Sequence, residues 1–299
     1  MERISFHDQI ARNKFKSVIL LISIIIVFVV FGYMIGMIVG PDYLTIIMII
    51  SIIVSVFYVW FGYYNSHKLA LSSVNAKPAP ESYRQYHHSV DGLSIASGLP
   101  KPKLYIMEDN NINAFASGRD PKNAVICVTT GALKKLNKQE LEGVLAHEMS
   151  HIANYDIRFM TLTAVLVGMI AIISEIFLRS LYFRSFSNDR NNKANAIFII
   201  IGIVLAILAP IVVSLVQLAI SRKREYTADA SGVKFTRSPT GLVSALKKIK
   251  NEHSLNLEQK HHYSKAIAPL FISNPFKKFG GLFQTHPPLE KRIEILERM

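Results

Sequence analysis

The sequence predicts a mainly α-helical membrane protein that carries a polar α+β domain with a small sheet. Three observations lead there. Apolar residues are gathered into charge-free blocks at 17–41, 43–66 and 194–221, and about 20 apolar residues suffice to span a bilayer. The chain is 50% hydrophobic yet holds 34 Lys and Arg against 21 Asp and Glu, a pairing that soluble enzymes rarely show. The polar stretches 65–157 and 221–299 together have the size of one compact domain. The expected order is a basic tail (1–16), two transmembrane helices (17–64), the first part of the polar domain (65–157), a membrane hairpin (158–220) and the second part of the domain (221–299).

Arg3, Arg12, Lys14 and Lys16 precede the first block. The block is too long for a signal-peptide core and no small-residue cleavage site follows it, so it reads as a retained anchor. Gly32, Gly36 and Gly40 share one face at four-residue spacing, which suits close helix packing in lipid or is incidental. No basic residue lies in the 40–43 connection. The positive-inside rule then puts the N-terminus, and after two crossings residues 65–157, in the cytoplasm. The third segment, 159–178, is charge-free only from Phe159 to Ser174, and Glu175 has Arg179 one turn on. It reads as a full span, making four transmembrane helices, or as the arm of a shallow hairpin. Pro210 kinks the fourth segment, which membrane helices tolerate. Arg179, Arg184, Arg190 and Lys193 at the hairpin tip oppose the orientation rule. Either Arg222, Lys223 and Arg224 override them or the hairpin does not cross fully.

Within the polar stretches, the prolines of 75–81 favour an extended path. A helix is expected over 82–98, strands over 103–109, 113–117 and 124–130, and a mostly helical end over 221–299 with a loop around Asn274-Pro275 and Gly280-Gly281. Cys127 is the single cysteine. It excludes an intrachain disulfide and a CxxC motif, and it sits in an apolar run that marks a packed strand. The net charge of +13 comes without any nucleic-acid fold signature. Arg222-Lys223-Arg224 directly follows an apolar block, where basic residues meet anionic lipid headgroups.

The chemistry is carried by His147-Glu148-Met149-Ser150-His151. Histidines four apart stand on one face of a helix, so both imidazoles reach one metal ion and the glutamate reaches a water beside it. A helix is expected here. Asn137 and Glu140 form a capping-box pattern, and Leu141, Val144, Leu145 and Ile152 recur at helical spacing. Gly143 is the weak point, at about 1 kcal/mol against Ala. A catalytic zinc takes three protein ligands and keeps an open position. The best third candidate is Glu225, with Asp229 one turn on as the carboxylate that orients a ligand imidazole. The alternative is a solvated charge pair on an amphipathic helix. One metal held by His151 and Glu225 requires an even number of crossings between them, which puts the site near the membrane surface.

At this point the chain resembles the HtpX family of membrane-bound zinc endopeptidases, gluzincins related to the CAAX prenyl endopeptidases. The resemblance covers nearly the whole chain. It rests on the two N-terminal spans, Asn113-Ala114-Phe115-Ala116, the run His147 to Asn154, the internal hairpin, the run Ser221 to Asp229 and Thr285-His286-Pro287-Pro288. It implies a zincin-like protease domain and one zinc ion per chain, with ligands His147, His151 and Glu225 and with Glu148 as general base. It implies that Asn113 to Ala116 form the strand to which a substrate peptide adds. His286 becomes a candidate oxyanion stabiliser or a packed loop residue. Arg292 becomes an assistant or a salt-bridging residue on a helix whose apolar face is Leu289, Ile293 and Leu296. The family further implies cleavage of damaged or misassembled membrane proteins and of unfolded polypeptides, at a bacterial plasma membrane with the site facing the cytoplasm. The prenyl endopeptidases have more spans, which argues against prenylated substrates here. Two other classes stand beside it: a non-catalytic scaffold with a structural metal, which needs a fourth protein ligand, and a transporter, which needs ionisable residues inside its spans.

Overall fold

Two long helices open the chain in the structure, a computed structural model that describes residues 6–164, 166, 202, 222–255, 270–273 and 287–299. α1 runs Phe6–Val39 and α2 runs Pro41–Ser72. Gly40 makes the reversal with φ 143°, backbone that glycine enters freely, and Pro41 begins α2 where a missing N–H is harmless. The helices lie side by side. A Cβ on Gly32 would meet the Ser51 side chain and one on Gly36 would meet Leu44. Those two glycines therefore face the neighbouring helix, while Gly40 serves the turn. Ile19, Ile22, Ile26 and Val30 of α1, with Ile46, Ile53, Phe57 and Trp60 of α2, are exposed. An outer surface this apolar is solvated by lipid rather than water. Among the described residues, α1 and α2 are the helices long and apolar enough to cross a membrane.

The polar domain is built on one mixed sheet. Its strands are β1 (Lys77–Pro78), β2 (Lys103–Met107), β3 (Ala114–Gly118) and β4 (Ala124–Thr129), in the order β1-β2-β4-β3. β2 and β4 are parallel and the other pairs antiparallel. The three expected strands are present within two residues of their expected ends. The proline-containing linker adds the short edge strand β1, a position that tolerates proline. β4 is buried along its length, and its side chains alternate between two layers. Ala124, Ile126 and Val128 join the main core. Val125 and Cys127 join a second cluster with Ala70, Leu71 and Val74 from the end of α2, so the membrane helix is seated against the sheet. Cys127 is thus a packing residue.

Helices cover the other face. α3 (Arg84–Ser97) and the short α4 (Thr130–Lys135) flank α5 (Lys138–Ala153), and α6 (Arg222–Thr236), α7 (Thr240–Leu255) and α8 (Leu289–Leu296) follow. The main core takes Tyr86 and Val90 from α3, Val144, Leu145 and Met149 from α5, Leu242 and Leu246 from α7, and Leu296 from α8. Residues from before and after the expected hairpin share this one core. Of that hairpin (158–220), residues 156–164 are helical, and Phe159 and Leu162 pack on Leu20 and Ile24 of α1. Glu175, Pro210 and the basic tip fall outside the described residues, as do Asn274-Pro275 and Gly280-Gly281.

Candidate metal centre

α5 is set by its own sequence. Asn137 Oδ1 accepts from the Glu140 amide at 3.0 Å and Glu140 Oε2 accepts from the Asn137 amide at 2.8 Å, the reciprocal cap expected from the pattern. Glu140 also accepts from Ser244 Oγ and Lys248 Nζ of α7. These partners and the Asn137 amide outweigh burial and hold its carboxyl below the ordinary range. Pinned at its start, the helix carries His147, Glu148 and His151 into the interior, all buried.

The two imidazoles meet as the four-residue spacing requires, with Nε2 atoms 3.3 Å apart. Glu225, in the first turn of α6, lies between them: its Oε2 is 3.6 Å from His147 Nε2 and its Oε1 is 3.7 Å from His151 Nε2. Four ligands around zinc at 2.0–2.1 Å stand about 3.4 Å apart. The three donors therefore already have nearly the spacing of three corners of that tetrahedron. Gly232 permits this approach, because a Cβ there would sit 3.1 Å from the His147 amide.

Each of the two imidazoles is held from behind by a carboxylate. His147 Nδ1 donates to Asp229 Oδ1 at 2.9 Å and His151 Nδ1 donates to Asp156 Oδ2 at 3.0 Å. These bonds orient both rings so that their Nε2 atoms face Glu225, where a metal would take the place of an Nε2 proton. Asp229 was expected. Asp156 is a residue the sequence reading missed. Tyr155, with φ 58°, turns the chain back after α5 and brings the next side chain under His151. Its only sequence signal is an Asp just beyond the motif, which no helical spacing connects to His151.

Arg292 of α8 is fully buried and grips Asp229 with two hydrogen bonds, Nε to Oδ2 at 2.9 Å and Nη2 to Oδ1 at 2.7 Å. Its Nη1 is 3.5 Å from Glu225 Oε2. Burial pulls the Arg292 pKa down, and the Asp229, Glu225 and Glu148 carboxylates outweigh it, leaving it raised. Burial lifts the Asp229 carboxyl, and Arg292 and His147 bring it below its ordinary value. For His147, burial and Arg292 push down while Asp229 and Glu225 prevail, raising its pKa to about 9. Asp229 is thereby held as a carboxylate beside His147.

Glu148 differs from its neighbours. Both carboxylate oxygens are buried, and neither has a hydrogen-bond partner among the described residues. Burial raises its pKa, opposed by His147, His151 and the Ala116 backbone. A buried carboxylate this poorly supplied with donors is disfavoured as structure and suited to taking a proton.

Asn113 to Ala116 run beside the centre. Asn113 is bound to the segment 270–273, its Nδ2 donating to the Ser273 carbonyl at 2.9 Å. The Ile272 amide donates to the Ala114 carbonyl at 3.0 Å, and Phe115 forms a bridge with Phe271. The chain's own residues thus occupy the first positions of this edge, and Ala116 is the next one along. His286 lies outside the described residues.

The profile of peptidase family M48 matches residues 80–299. The protease HtpX homolog of Caldanaerobacter subterraneus subsp. tengcongensis is 48% identical over 248 residues, 82% of each chain. That of Thermoanaerobacter pseudethanolicus is 42% identical over 303 residues, all of this chain and 99% of the relative. A crystal structure of S. mikatae Ste24p aligns over 81% of this chain and 58% of that one, at 18% identity and a TM-score of 0.47. The family match reaches across both stretches that meet at the centre, and the full-length relatives extend it through the paired apolar helices: this chain belongs to peptidase family M48 and is a membrane metalloprotease.

Proposed function

We propose that this chain binds one zinc ion through His147, His151 and Glu225 and cleaves misfolded or damaged membrane proteins, and unfolded polypeptides, at a bacterial plasma membrane. The observation that carries the reading is the convergence of three donor atoms from α5 and α6 beside the buried Glu148 carboxylate. A zinc ion held by these donors supplies Lewis-acid polarisation of the scissile carbonyl and lowers the pKa of water. Glu148 takes the proton of the attacking water and later delivers it to the departing amine. Its raised pKa makes it a stronger base than an exposed carboxylate. Asp229 and Asp156 hold the ligand imidazoles in one tautomer. Arg292 binds Asp229 and stands beside Glu225 and His147, so its proposed role is positioning, and His286 is the proposed donor to the oxyanion.

Of the expected substrate strand Asn113 to Ala116, the first three residues are paired with 270–273, and by this reading the substrate adds to β3 at Ala116. Backbone groups alternate along a strand, so the Ala116 N–H and C=O point to the same edge as the Ala114 carbonyl. A peptide at Ala116 lies in line with 270–273 and beside Glu148. Backbone pairing of this kind accepts many sequences, as a quality-control protease needs. The proposed topology has four crossings, with the N-terminus and the centre cytoplasmic. Its support is the four basic residues before the charge-free block 17–41 and their absence from 40–43.

The test is metal analysis and casein cleavage by the purified chain in detergent. Wild type is expected to hold one zinc and to lose cleavage on chelation. Glu148→Gln is expected to keep the zinc and lose activity by about 10²–10⁴-fold. Full activity in that variant removes Glu148 as the base. A wild type without metal removes the zinc reading.

A further inference from the structure

The two ligand histidines are supported in parallel but from different places. Behind His147 stands Asp229, gripped by Arg292 from within the polar domain. Behind His151 stands Asp156, and its second oxygen accepts a hydrogen bond from Asn13 Nδ2 at 2.7 Å. Asn13 belongs to α1, the first membrane helix. The same amide donates to the Asn154 carbonyl at 3.0 Å, at the end of α5. Asn13 is 4% exposed and Asp156 fully buried, so water does not replace these bonds. Arg224 Nε also approaches Asp156 Oδ1, at 3.6 Å, longer than a direct hydrogen bond. One residue along α1, Lys14 places its ammonium 4.4 Å over the ring of Tyr155, the residue that turns the chain from α5 to Asp156.

We propose that Asn13 is a positioning residue of the metal centre, making the first membrane helix a working part of the zinc site. Its amide bridges the end of the histidine-bearing helix and the Asp156 carboxylate, and so fixes the angle at which Asp156 presents an oxygen to His151 Nδ1. An amide suits the place: it spends one N–H on each acceptor and adds no charge beside Arg224. Removing it leaves one carboxylate lone pair and one carbonyl buried without their short donor, and lets Asp156 and the His151 ring rotate. A ligand imidazole free to rotate binds metal more weakly, on the order of 10–100-fold where the supporting partner is lost.

This inference rests on zinc binding at His147, His151 and Glu225, and its test separates the two. Zinc affinity of the full chain in detergent is measured by competition with a chromophoric chelator, and the electronic spectrum is recorded for the cobalt-substituted protein. Asn13→Leu keeps the side-chain volume and removes the donor, Asn13→Ala removes both, and Lys14→Met loosens α1 from Tyr155 without touching Asp156. Both Asn13 variants are expected to bind zinc about tenfold or more weakly and to alter the cobalt spectrum. Melting of the metal-free protein is expected to fall in both Asn13 variants, because two buried acceptors lose a donor, so the cobalt spectrum of the folded protein carries the distinction, and Lys14→Met is expected to bind zinc as wild type does. A wild type that binds one zinc, with Asn13 variants within twofold of its affinity and an unaltered cobalt spectrum, overturns the inference and leaves the metal reading standing. Equal weakening in Lys14→Met overturns it in favour of simple helix docking. A wild type without zinc overturns both readings.

Discussion

Arg292 and Asp229 are buried charges paired by two hydrogen bonds, and each is worth little without the other. Breaking such a pair by removing one partner strands the second charge in the interior, at about 3–5 kcal/mol. Arg292→Met is therefore expected to lower stability by about 3 kcal/mol, read as a fall in the midpoint of thermal unfolding in detergent, and to weaken zinc binding because Asp229 no longer holds His147. A variant that melts and binds zinc as wild type does would show that the pair contributes nothing. The sequence made part of this centre legible. The metal pair and its glutamate are local, and one helix turn relates Glu225 to Asp229. The depth of Arg292 was not legible. It lies among Glu290, Lys291 and Glu294 on a short helix, where an arginine reads as solvated, and only the fold carries that face inward against α6. Asp156 escaped for a related reason: it reaches His151 through a left-handed turn at Tyr155, which follows no periodicity.

At the level of elements, α5 shows where local propensity misleads. Read by itself, Gly143 is a defect, and Ala there would gain about 1 kcal/mol. In the fold it is the point where α5 crosses the start of α7. A Cβ on Gly143 would lie 2.4 Å from the Leu242 amide nitrogen and 2.8 Å from the Gly241 carbonyl carbon. Backbone atoms cannot step aside as a side chain would, so the helices must separate. Overpacking of this kind costs about 1–3 kcal/mol, which exceeds the propensity gain. Gly143→Ala is expected to lower the unfolding midpoint, and a raised midpoint would show that α7 yields freely. The capping box, the helix 84–97 and the alternating strands were readable because they depend on neighbours in sequence. β1 was not, since a two-residue strand exists only through its pairing with β2.

Across the whole molecule, two contacts fix which ends lie together. Asn13 binds Asp156, and Ala70, Leu71 and Val74 pack on the sheet, so the start of α1 and the end of α2 both meet the polar domain. The turn at Gly40-Pro41 is the far end of the hairpin. From Asn13 to Val39 a helix rises about 40 Å, more than the roughly 30 Å of a bilayer core. By the proposed topology the hairpin crosses and returns, and the start of α1 shares a side with the metal centre whichever way the protein is inserted. With the basic tail in the cytoplasm, as proposed, the turn faces outward. The single native cysteine does not interfere with a labelling test, because Cys127 is fully buried and burial raises its thiol pKa, suppressing the reactive thiolate. Asp42→Cys, at the turn, is expected to react with a membrane-impermeant maleimide on intact cells. Lys138→Cys, exposed at the start of α5, is expected to react only after the membrane is permeabilised. Labelling confined to Lys138→Cys would reverse the orientation while keeping the hairpin. Labelling of both on intact cells would mean that the hairpin does not separate the turn from the metal centre, and the coupling of α1 to His151 would then have to operate without a membrane crossing.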